Sequence, residues 1–514
     1  MIFGKGYRRK QHKDTPNNKP IDNDNSQSSS SIANLSQHTS SELIPVDNNS
    51  IAPCNDGFAQ LIDNSKKPGH GRMPYTAYTK CIKVELTLEL KVGDPCPYSC
   101  GGKLRAYDAG HIIRIKGNPI ANIYHYMVKK LRCNLCLVII SAPIPEYIGK
   151  EKYDAYFKAQ LVLLKYYVGV PFYRQENFQR LLHFPLSDAT QWKLCEEVAG
   201  CVIPVFNVLK KLAGNGEVIH NDDTWLRILS VIKKIKNGTA GKRTGMYTTN
   251  ILSYYNGHKI ALFFNGRNHS GENMADVLNS RAPEAIPVIQ MCDALSANIP
   301  SGIKTILCNC LPHGVRKFKE LVDFFPEECV IILKELGKVF DYDLHTKSMS
   351  KQTRLEYHQK LSAPIMAQLY KHMSKLLEEK KVEPNSELGK AIGYMLRHWP
   401  KLTRFLTVLG APISNNIVEQ ALKIAIRNRK AAMFYRTEYS AYIGGVLTSL
   451  AYTCHLEKQN AQDYLTALQA YKVNVAANPN LFLPWNYQDT ISHLQACANQ
   501  TESIHQRDGP VAAL

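Results

Sequence analysis

Residues 245–266 read GMYTTNILSYYNGHKIALFFNG, two runs of β-branched and aromatic residues joined by Asn256-Gly257. Asn-Gly suits the tight turn of a β-hairpin, so this stretch predicts two antiparallel strands. Similar short runs, bounded by Gly, Asn or Asp, lie on either side of it: GEVIHNDDT at 216–224, WLRILSVI at 225–232, IPVIQMCD at 286–293 and ILCNC at 306–310. Together these runs predict a cluster of strands over residues 216–310.

Helical patterns flank the strand cluster on both sides. Residues 154–170 form an amphipathic run that stops before Pro171, and Ser187-Asp188 opens a longer pattern that ends near Gly214. Helical patterns return from residue 314 to about residue 449. Strands that lie between helices predict an α/β core.

Composition and pattern divide the chain into five regions. The first is rich in Asn, Ser, Asp and Gln and nearly devoid of aromatic residues, so it cannot bury enough apolar surface to fold. The predicted regions are a disordered leader at 1–65, a basic arm and cysteine-containing module at 66–149, a helical region at 150–215, an α/β core at 216–457 with a helical insertion at about 314–410, and a helical tail at 458–514.

The 514-residue chain carries 63 Lys and Arg against 44 Asp and Glu, a net charge of +19. A basic surplus of this size indicates a polyanionic partner, with nucleic acid first and an acidic membrane surface second. No apolar run approaches the ~20 residues of a membrane span, and the basic N-terminus is not followed by the apolar segment of a secretory signal. We therefore expect a protein of the reducing cytoplasm.

Fourteen cysteines include two close pairs, Cys96 with Cys100 and Cys133 with Cys136. In a reducing compartment, paired cysteines more often bind metal than form disulfides. Four thiolates from two short loops can complete the tetrahedral coordination of a structural Zn²⁺, and the β-rich stretch between the pairs predicts a zinc-ribbon-like module. Four unliganded cysteines are the alternative. Arg105, within this module, is placed to contact phosphates.

Acidic residues end two of the strand-like runs and lie in one helical pattern. Asp222 and Asp223 close the run at 216–224, Asp293 closes the run at 286–293, and Glu419 lies in the helical stretch SNNIVEQALKIAIRNRKAAMF. Carboxylates at strand ends can hold a divalent metal above a sheet. Each acid also has a structural interpretation: an Asx turn or helix cap for Asp222 and Asp223, a cap of the following helix for Asp293, and a capping box with Asn416 for Glu419. Spacing alone leaves both interpretations open.

Five segments occur in a fixed order along the chain: KKPGHGRMP at 66–74, PFYRQENFQRL at 171–181, IHNDDT at 219–224, CLPHGVRKF at 310–318 and GAPISNNIVEQALKIAIRNRKAAMF at 410–434. Together they resemble the large transposase of the insertion-sequence-66 family. The segment at 410–434 resembles the family's Asn-Asn-x-x-Glu-Arg/Gln-Ala-Leu motif, and the segment at 310–318 resembles its Cys-x-x-His-x-x-Arg-Lys-Phe motif. The resemblance runs from about residue 66 to residue 468.

This resemblance implies an RNase H-like catalytic core with an Asp-Asp-Glu triad. Carried over by motif, the triad is Asp222, Asp293 and Glu419, and the three carboxylates would hold Mg²⁺ or Mn²⁺ for in-line displacement at phosphorus. Asp223 stands where the family usually has Glu, and Asp293 is followed by Ala-Leu rather than the family's Gly-Tyr. The implied activity is cleavage of insertion-sequence ends and their transfer to target DNA.

The implied partner is double-stranded DNA, both the terminal inverted repeats of the element and its target, within the bacterial nucleoid. A homo-oligomer on DNA and accessory proteins of the same element are further expectations. The residues predicted to contact DNA are basic or amide side chains near the arm, the zinc module and the Glu419 helix: Lys66, Lys67, Arg72, Arg105, Arg316, Lys317, Asn415, Arg427, Arg429 and Lys430. The alternatives are a catalytically inactive, zinc-containing DNA-binding protein derived from a transposase, and a nuclease with the same core.

We expect purified protein to retain about one tightly bound Zn²⁺ per chain after dialysis, held by the paired cysteines. Replacing Cys133 and Cys136 by Ser removes two of the four thiolates, so the zinc content measured by elemental analysis should fall to near zero. A wild-type zinc content near zero would contradict the prediction.

Overall fold

The computed structural model describes residues 91–507, apart from 96, 98–99, 106–119, 133, 135–138, 185, 240 and 283. The predicted leader, the basic arm with Lys66, Lys67 and Arg72, and three of the four predicted zinc ligands lie outside the described residues. The chain divides into two compact units, 1–118 and 119–514. In the first, the described residues form a small turn in which the Gly93 amide donates to the Leu104 carbonyl (2.9 Å).

The second unit is a mixed α/β structure, as the sequence predicted. Its strands are β1 Lys130–Arg132, β2 Ile139–Ser141, β3 Val218–Trp225, β4 Tyr247–Tyr255, β5 His258–Gly266, β6 Ile289–Cys292 and β7 Ile306–Asn309. Its α-helices are α1 Ala155–Val162, α2 Phe172–Leu181, α3 Asp188–Gly214, α4 Leu229–Lys236, α5 Ser270–Leu278, α6 Leu311–Lys319, α7 Pro326–His345, α8 Lys351–Glu378, α9 Glu387–Leu402, α10 Asn416–Ala432, α11 Glu438–Leu456, α12 Ala461–Ala470, α13 Lys472–Ala477 and α14 Tyr487–Arg507.

Five strands form the main sheet in the order β5-β4-β3-β6-β7. The pairs β5–β4 and β4–β3 are antiparallel, whereas β3–β6 and β6–β7 are parallel. The predicted hairpin is confirmed, because Asn256 and Gly257 turn the chain from β4 into β5 with φ angles of 48° and 85°. Asn and Gly tolerate this left-handed region better than other residues, which explains why they occupy the turn.

The prediction of a separate strand at 225–232 is wrong. Trp225 ends β3, and α4 begins at Leu229. Ile228 and Val231 are buried and Ile235 packs in the same cluster. Their spacing of three and four residues matches one face of a helix, and the lysines that follow extend from the other faces into solvent. The long helix opened by Ser187 is confirmed, since the Ser187 hydroxyl accepts the Thr190 amide at the start of α3.

Helices cover both faces of the sheet. Alternate residues of β5 show the two sides: Ile260 and Leu262 belong to the large core that includes α1, α3, α11 and α12, whereas Phe263 packs with Ala421 and Ile424 of α10. Helices α6 to α9, within the predicted insertion, share a separate core. None of the helices that the structure describes is both long and apolar enough to span a membrane.

Helix α11 lies along the edge strand β5 and satisfies its outward amides. The Phe263 amide donates to the Ser449 hydroxyl (2.8 Å), the Ala261 amide to the Thr453 hydroxyl (3.1 Å) and the Lys259 amide to the Glu457 carboxylate (2.7 Å). Two strand residues rise about 6.6 Å and four helix residues about 6 Å, so a polar residue at every fourth helix position meets every second strand residue. The sheet edge is thereby protected from pairing with another chain.

Replacing Ser449 by Ala should leave the buried Phe263 amide without an acceptor, so we expect a loss of about 1–3 kcal/mol in the free energy of unfolding measured in urea. Ser492→Ala is the matched control. Both serine hydroxyls also donate to the carbonyl four residues earlier in their helix, Ser449 to Gly445 (2.7 Å) and Ser492 to Gln488 (2.9 Å). Ser492 is exposed and accepts no strand amide, so its replacement should cost less than about 0.5 kcal/mol. Equal effects of the two substitutions would contradict the edge-strand role.

Candidate active site

Three acidic residues from separate elements converge at one end of the main sheet. Asp222 lies in β3, beyond the point where its parallel pairing with β6 stops at His220. Asp293 directly follows β6, and Glu419 lies in the first turn of α10. The negative charges of Asp293 and Glu419 both act on Asp222. The structure therefore places the three acids that the sequence singled out close enough for their charges to interact, although their carboxylate oxygens do not all lie within 4.8 Å of one another.

The environment of Asp222 opposes its ionisation. Burial and then the charge of Asp293 are the main causes, and they raise the pKa of Asp222 to about 7 from its usual value of 3.8. Asp223 and Glu419 add smaller repulsions, partly offset by the Asp223 amide, which donates to the Asp222 carboxylate (2.8 Å). A carboxylate in this position is stabilised by a bound cation, which removes the repulsion.

Asp223 has a different, structural role. Its carboxylate accepts the Ser270 amide (3.1 Å) and contacts the His269 ring nitrogen (3.1 Å) at the start of α5. The helix-cap interpretation therefore applies to Asp223, and Asp222 is the carboxylate on which the charges of Asp293 and Glu419 act.

One oxygen of Asp293 is held by its own loop. The carboxylate accepts the Leu295 amide (3.1 Å) and the side-chain amide of Asn298. These bonds fix its orientation directly after β6, and the Asn309 side chain donates to the Asp293 carbonyl (3.3 Å). Asp293 does not directly precede the short helical turn at Ser296–Asn298, which begins after Leu295, so one of its oxygens holds the loop rather than capping a helix.

The capping-box interpretation of Glu419 is wrong. The residue before α10 is Asn415, and its side chain makes no bond to the first amides of the helix. Instead, the side-chain oxygen of Asn415 lies 3.1 Å from His220 Nδ1, and its side-chain nitrogen donates to the Asn221 carbonyl (3.2 Å). Because Asn415 is fully buried, we do not retain the prediction that it contacts DNA.

The Glu419 carboxylate faces helix α6. Its two oxygens lie 3.8 Å from His313 Nδ1 and 3.7 Å from the Arg316 guanidinium, too far for hydrogen bonds. Cys310 Sγ is also close, since the ligand atoms of Cys310, His313 and Glu419 all lie within 4.8 Å of one another. The sequence analysis did not identify Cys310 as a site residue, although its Cys-x-x-His spacing was a usable signal.

An open pocket of about 290 Å³ adjoins Asp293 and α6. Arg316 and Lys317 line it and are exposed, and Lys317 Nζ lies 4.7 Å from the centre of the Tyr394 ring. Burial and then the charge of Asp293 raise the pKa of Tyr394 to about 12. The predicted DNA contacts Arg316 and Lys317 are therefore on an accessible wall beside the acids.

Two other predicted DNA contacts have partners within the protein. The Arg427 guanidinium donates to the Tyr167 carbonyl. Arg429 donates to Thr224 Oγ1 (2.9 Å) and lies over the Trp225 ring at 3.8 Å, which ties α10 to the end of β3. Lys430 and Arg105 are exposed. Trp225, which is 55% exposed, was missed by the sequence analysis.

The predicted zinc module is only partly described. Cys100 is exposed, while Cys96, Cys133 and Cys136 lie outside the described residues. The zinc site therefore stays a prediction.

The fold and site define an α/β protein in which a mixed five-stranded sheet gathers three carboxylates at one end. The model of the Transposase IS66 family matches residues 150–442, and the chain belongs to this family.

Three relatives come from Sinorhizobium fredii (strain NBRC 101917 / NGR234), and each bears the name of an uncharacterized protein. Protein y4jD is 30% identical over 186 residues, which is 35% of this chain and 36% of y4jD. Protein y4qI is 28% identical over 188 residues, 35% of this chain and 34% of y4qI. Protein y4hP is 20% identical over 391 residues, 70% of this chain and 67% of y4hP. The chain thus spans about a third of the length of the first two relatives.

The raised pKa of Asp222 predicts a pH-dependent cost of folding. The unfolded chain ionises this carboxyl near pH 3.8 and the folded chain near pH 7, so the native state keeps the extra proton in between and loses stability as pH rises through that window. At pH 8 without added divalent metal, we expect Asp222→Asn to be more stable to urea than wild type by roughly 2–4 kcal/mol.

At pH 4 the wild type and Asp222→Asn should differ little, because the folded carboxyl is then neutral and ionisation of the unfolded carboxyl has only begun to favour the unfolded state. The matched variant Asp223→Ala removes a partner of the α5 start and should be less stable than wild type at pH 8. If Asp222→Asn gained no stability at pH 8, the electrostatic account of this cluster would be wrong.

Proposed function

We propose that this protein is a DNA transposase that cleaves the ends of an insertion sequence and joins them to target DNA. The observation that carries the proposal is that Asp222, Asp293 and Glu419 approach one another at one end of the sheet, where burial and then the charge of Asp293 raise the pKa of Asp222 to about 7. Membership of the Transposase IS66 family supports the same activity.

The sheet supports an RNase H-like core. In the order β5-β4-β3-β6-β7, the first three strands are consecutive antiparallel neighbours and the last two run parallel to the central strand β3. The first acid lies on this central strand, and the second directly follows its parallel neighbour β6. The third comes from a helix packed on the sheet, so all three reach the same end.

The three carboxylates fit Mg²⁺ or Mn²⁺, since hard oxygen donors suit these ions. When bound, the metal supplies charge neutralisation at the phosphorus centre and activation of a water or 3′-hydroxyl. The Asp223 amide orients Asp222, and the Leu295 amide orients Asp293. The helix α10 carries Glu419 to the same place. Cleavage and joining then need no nucleophile from the protein itself.

Charge supports a DNA partner. The chain carries a net charge of +19, and Arg316 and Lys317 stand exposed beside Asp293. Such contacts would position the phosphate backbone without reading its sequence. Exposed Trp225, with Arg429 stacked against it, adds an aromatic surface beside the end of β3 that suits unpaired bases.

The remaining expectations are part of the same proposal. They are a structural Zn²⁺ held by Cys96, Cys100, Cys133 and Cys136, recognition of terminal inverted repeats, a homo-oligomer that holds two ends together, accessory proteins of the same element, and action at the nucleoid of a bacterial cell.

Asp222→Asn, Asp293→Asn and Glu419→Gln should each reduce Mg²⁺-dependent cleavage and joining of element-end oligonucleotides by more than about 100-fold, because each removes a metal ligand. DNA binding, followed by fluorescence anisotropy, should persist. Glu387→Gln is the matched control, a glutamate in the first turn of α9 that should leave activity unchanged.

Undiminished activity of any triad variant would refute its assignment as a ligand. Cleavage without joining by the wild type would indicate a nuclease, and DNA binding with neither reaction would indicate an inactive derivative.

A further inference from the structure

Three side chains of different elements meet where β7 leads into α6. Cys310 directly precedes α6, His313 lies in its first turn, and Glu419 approaches from α10. Their ligand atoms all lie within 4.8 Å of one another. Among the described residues, this is the one cluster of histidine, cysteine and acidic side chains with such spacing.

Two atoms of this cluster lack the partners that buried polar atoms normally have. His313 Nδ1 and Glu419 Oε1 are both buried, and neither makes a hydrogen bond to any residue the structure describes. They lie 3.8 Å apart, beyond hydrogen-bond distance. Buried polar atoms without partners are rare and costly, and an ion between two of them satisfies both.

The ligand types select the kind of ion. A thiolate and an imidazole are soft or borderline donors that suit Zn²⁺ and are poor ligands for Mg²⁺. Zn–S bonds of about 2.3 Å and Zn–N bonds of about 2.0–2.1 Å place tetrahedral ligand atoms roughly 3.5 Å apart. Modest rotations of His313 and Glu419 would bring the atoms from their present spacing to that distance.

We propose that Cys310, His313 and Glu419 form a second metal site that binds a borderline-soft divalent cation such as Zn²⁺, with a fourth position open to water. The site is separate from the predicted four-cysteine module, because none of its ligands comes from residues 66–149.

The surroundings of Cys310 hold its sulfur in place. The side chain is fully buried, and its sulfur accepts a hydrogen bond from the backbone N–H of Asn415 (3.3 Å). Burial raises the pKa of the Cys310 thiol to about 11, so the bound cation must displace the proton, which passes to water. Thiols in metal sites are deprotonated in this way, and backbone donors to the sulfur stabilise the resulting charge.

Glu419 belongs both to this proposed site and to the proposed catalytic triad, so the two sites would compete for its carboxylate. If the proposed function is correct, Glu419 is also a ligand of the catalytic Mg²⁺, so a cation held by Cys310 and His313 would draw the carboxylate away. Zn²⁺ would then inhibit strand cleavage at a fixed Mg²⁺ concentration. This second step rests on the proposed function, whereas the binding of Zn²⁺ does not.

Binding is tested by adding Co²⁺ as a spectroscopic substitute for Zn²⁺ to the full-length protein that has been purified with zinc and dialysed. We expect a thiolate-to-cobalt charge-transfer band and one equivalent of bound Co²⁺ beyond the zinc already present. Cys310→Ser should abolish the band and the extra equivalent, and added Zn²⁺ should displace the Co²⁺ from the wild type.

Cys308→Ser is the matched control, since Cys308 is equally buried, lies in β7 two residues before Cys310, and is outside the cluster. It should retain the band. His313→Gln provides a second variant, which should weaken binding by more than about 10-fold even if Cys310→Ser fails to fold. An unchanged band and stoichiometry in a folded ligand variant, or no band in the wild type, would overturn the site.

Inhibition is measured separately. The Zn²⁺ concentration that halves Mg²⁺-dependent cleavage should rise more than about 10-fold in Cys310→Ser and remain unchanged in Cys308→Ser. Equal inhibition of both variants would refute the shared role of Glu419. If the wild type cleaves no DNA, the proposed function fails, and the cobalt experiment still decides the metal site.

Discussion

The side chain of Asn415 joins the two parts of the chain on which the site depends. It contacts the His220 ring (3.1 Å) and donates to the carbonyl of Asn221, which lies 194 residues earlier in the sequence. These bonds fix the start of α10 against β3, one residue from Asp222. Glu419, one turn into α10, consequently lies near the end of the sheet, with its carboxylate toward α6. Glu419 and Asp222 are far apart in the sequence, so a long-range contact of this kind is needed to bring them near each other.

The link is neutral, which matters beside an acidic cluster. Burial lowers the pKa of His220 to about 4, so its imidazole is uncharged at neutral pH and contributes no counter-charge to the acids. Neighbouring polar groups are bonded in the same way: the Gln290 amide donates to Asn221 (2.9 Å) and to the Asn298 carbonyl (2.8 Å). This buried network connects β3, β6 and the loop after Asp293. It holds in place the backbone from which Asp222 and Asp293 extend.

Much of this arrangement could be predicted from local sequence. Asn256-Gly257 required a left-handed turn, Ser187 offered a helix cap, and the strand-like runs were correct except at 225–232. That run failed because a short apolar stretch fits either a strand or a helix, and only packing around Val231 decides between them. Asp222 and Asp293 were selected because they close strand-like runs, and Glu419 because it matches a family motif. No feature of the local sequence showed that the three acids lie near one another.

Long-range contacts were not predictable from the sequence. Asn415 was expected to face DNA, and only its burial against β3 shows otherwise. The match of Ser449, Thr453 and Glu457 to alternate amides of β5 depends on one helix lying along one strand edge. Cys310 was one cysteine among fourteen until the fold placed it beside His313 and Glu419.

We propose that Asp222, Asp293 and Glu419 share a divalent metal. The most direct measurement is a crystal structure of the full chain grown with Mn²⁺, with anomalous diffraction recorded at the manganese edge. We expect an anomalous peak in contact with carboxylate oxygens of all three residues. Manganese bound elsewhere with these carboxylates empty, or a peak that Glu419 does not reach, would contradict it.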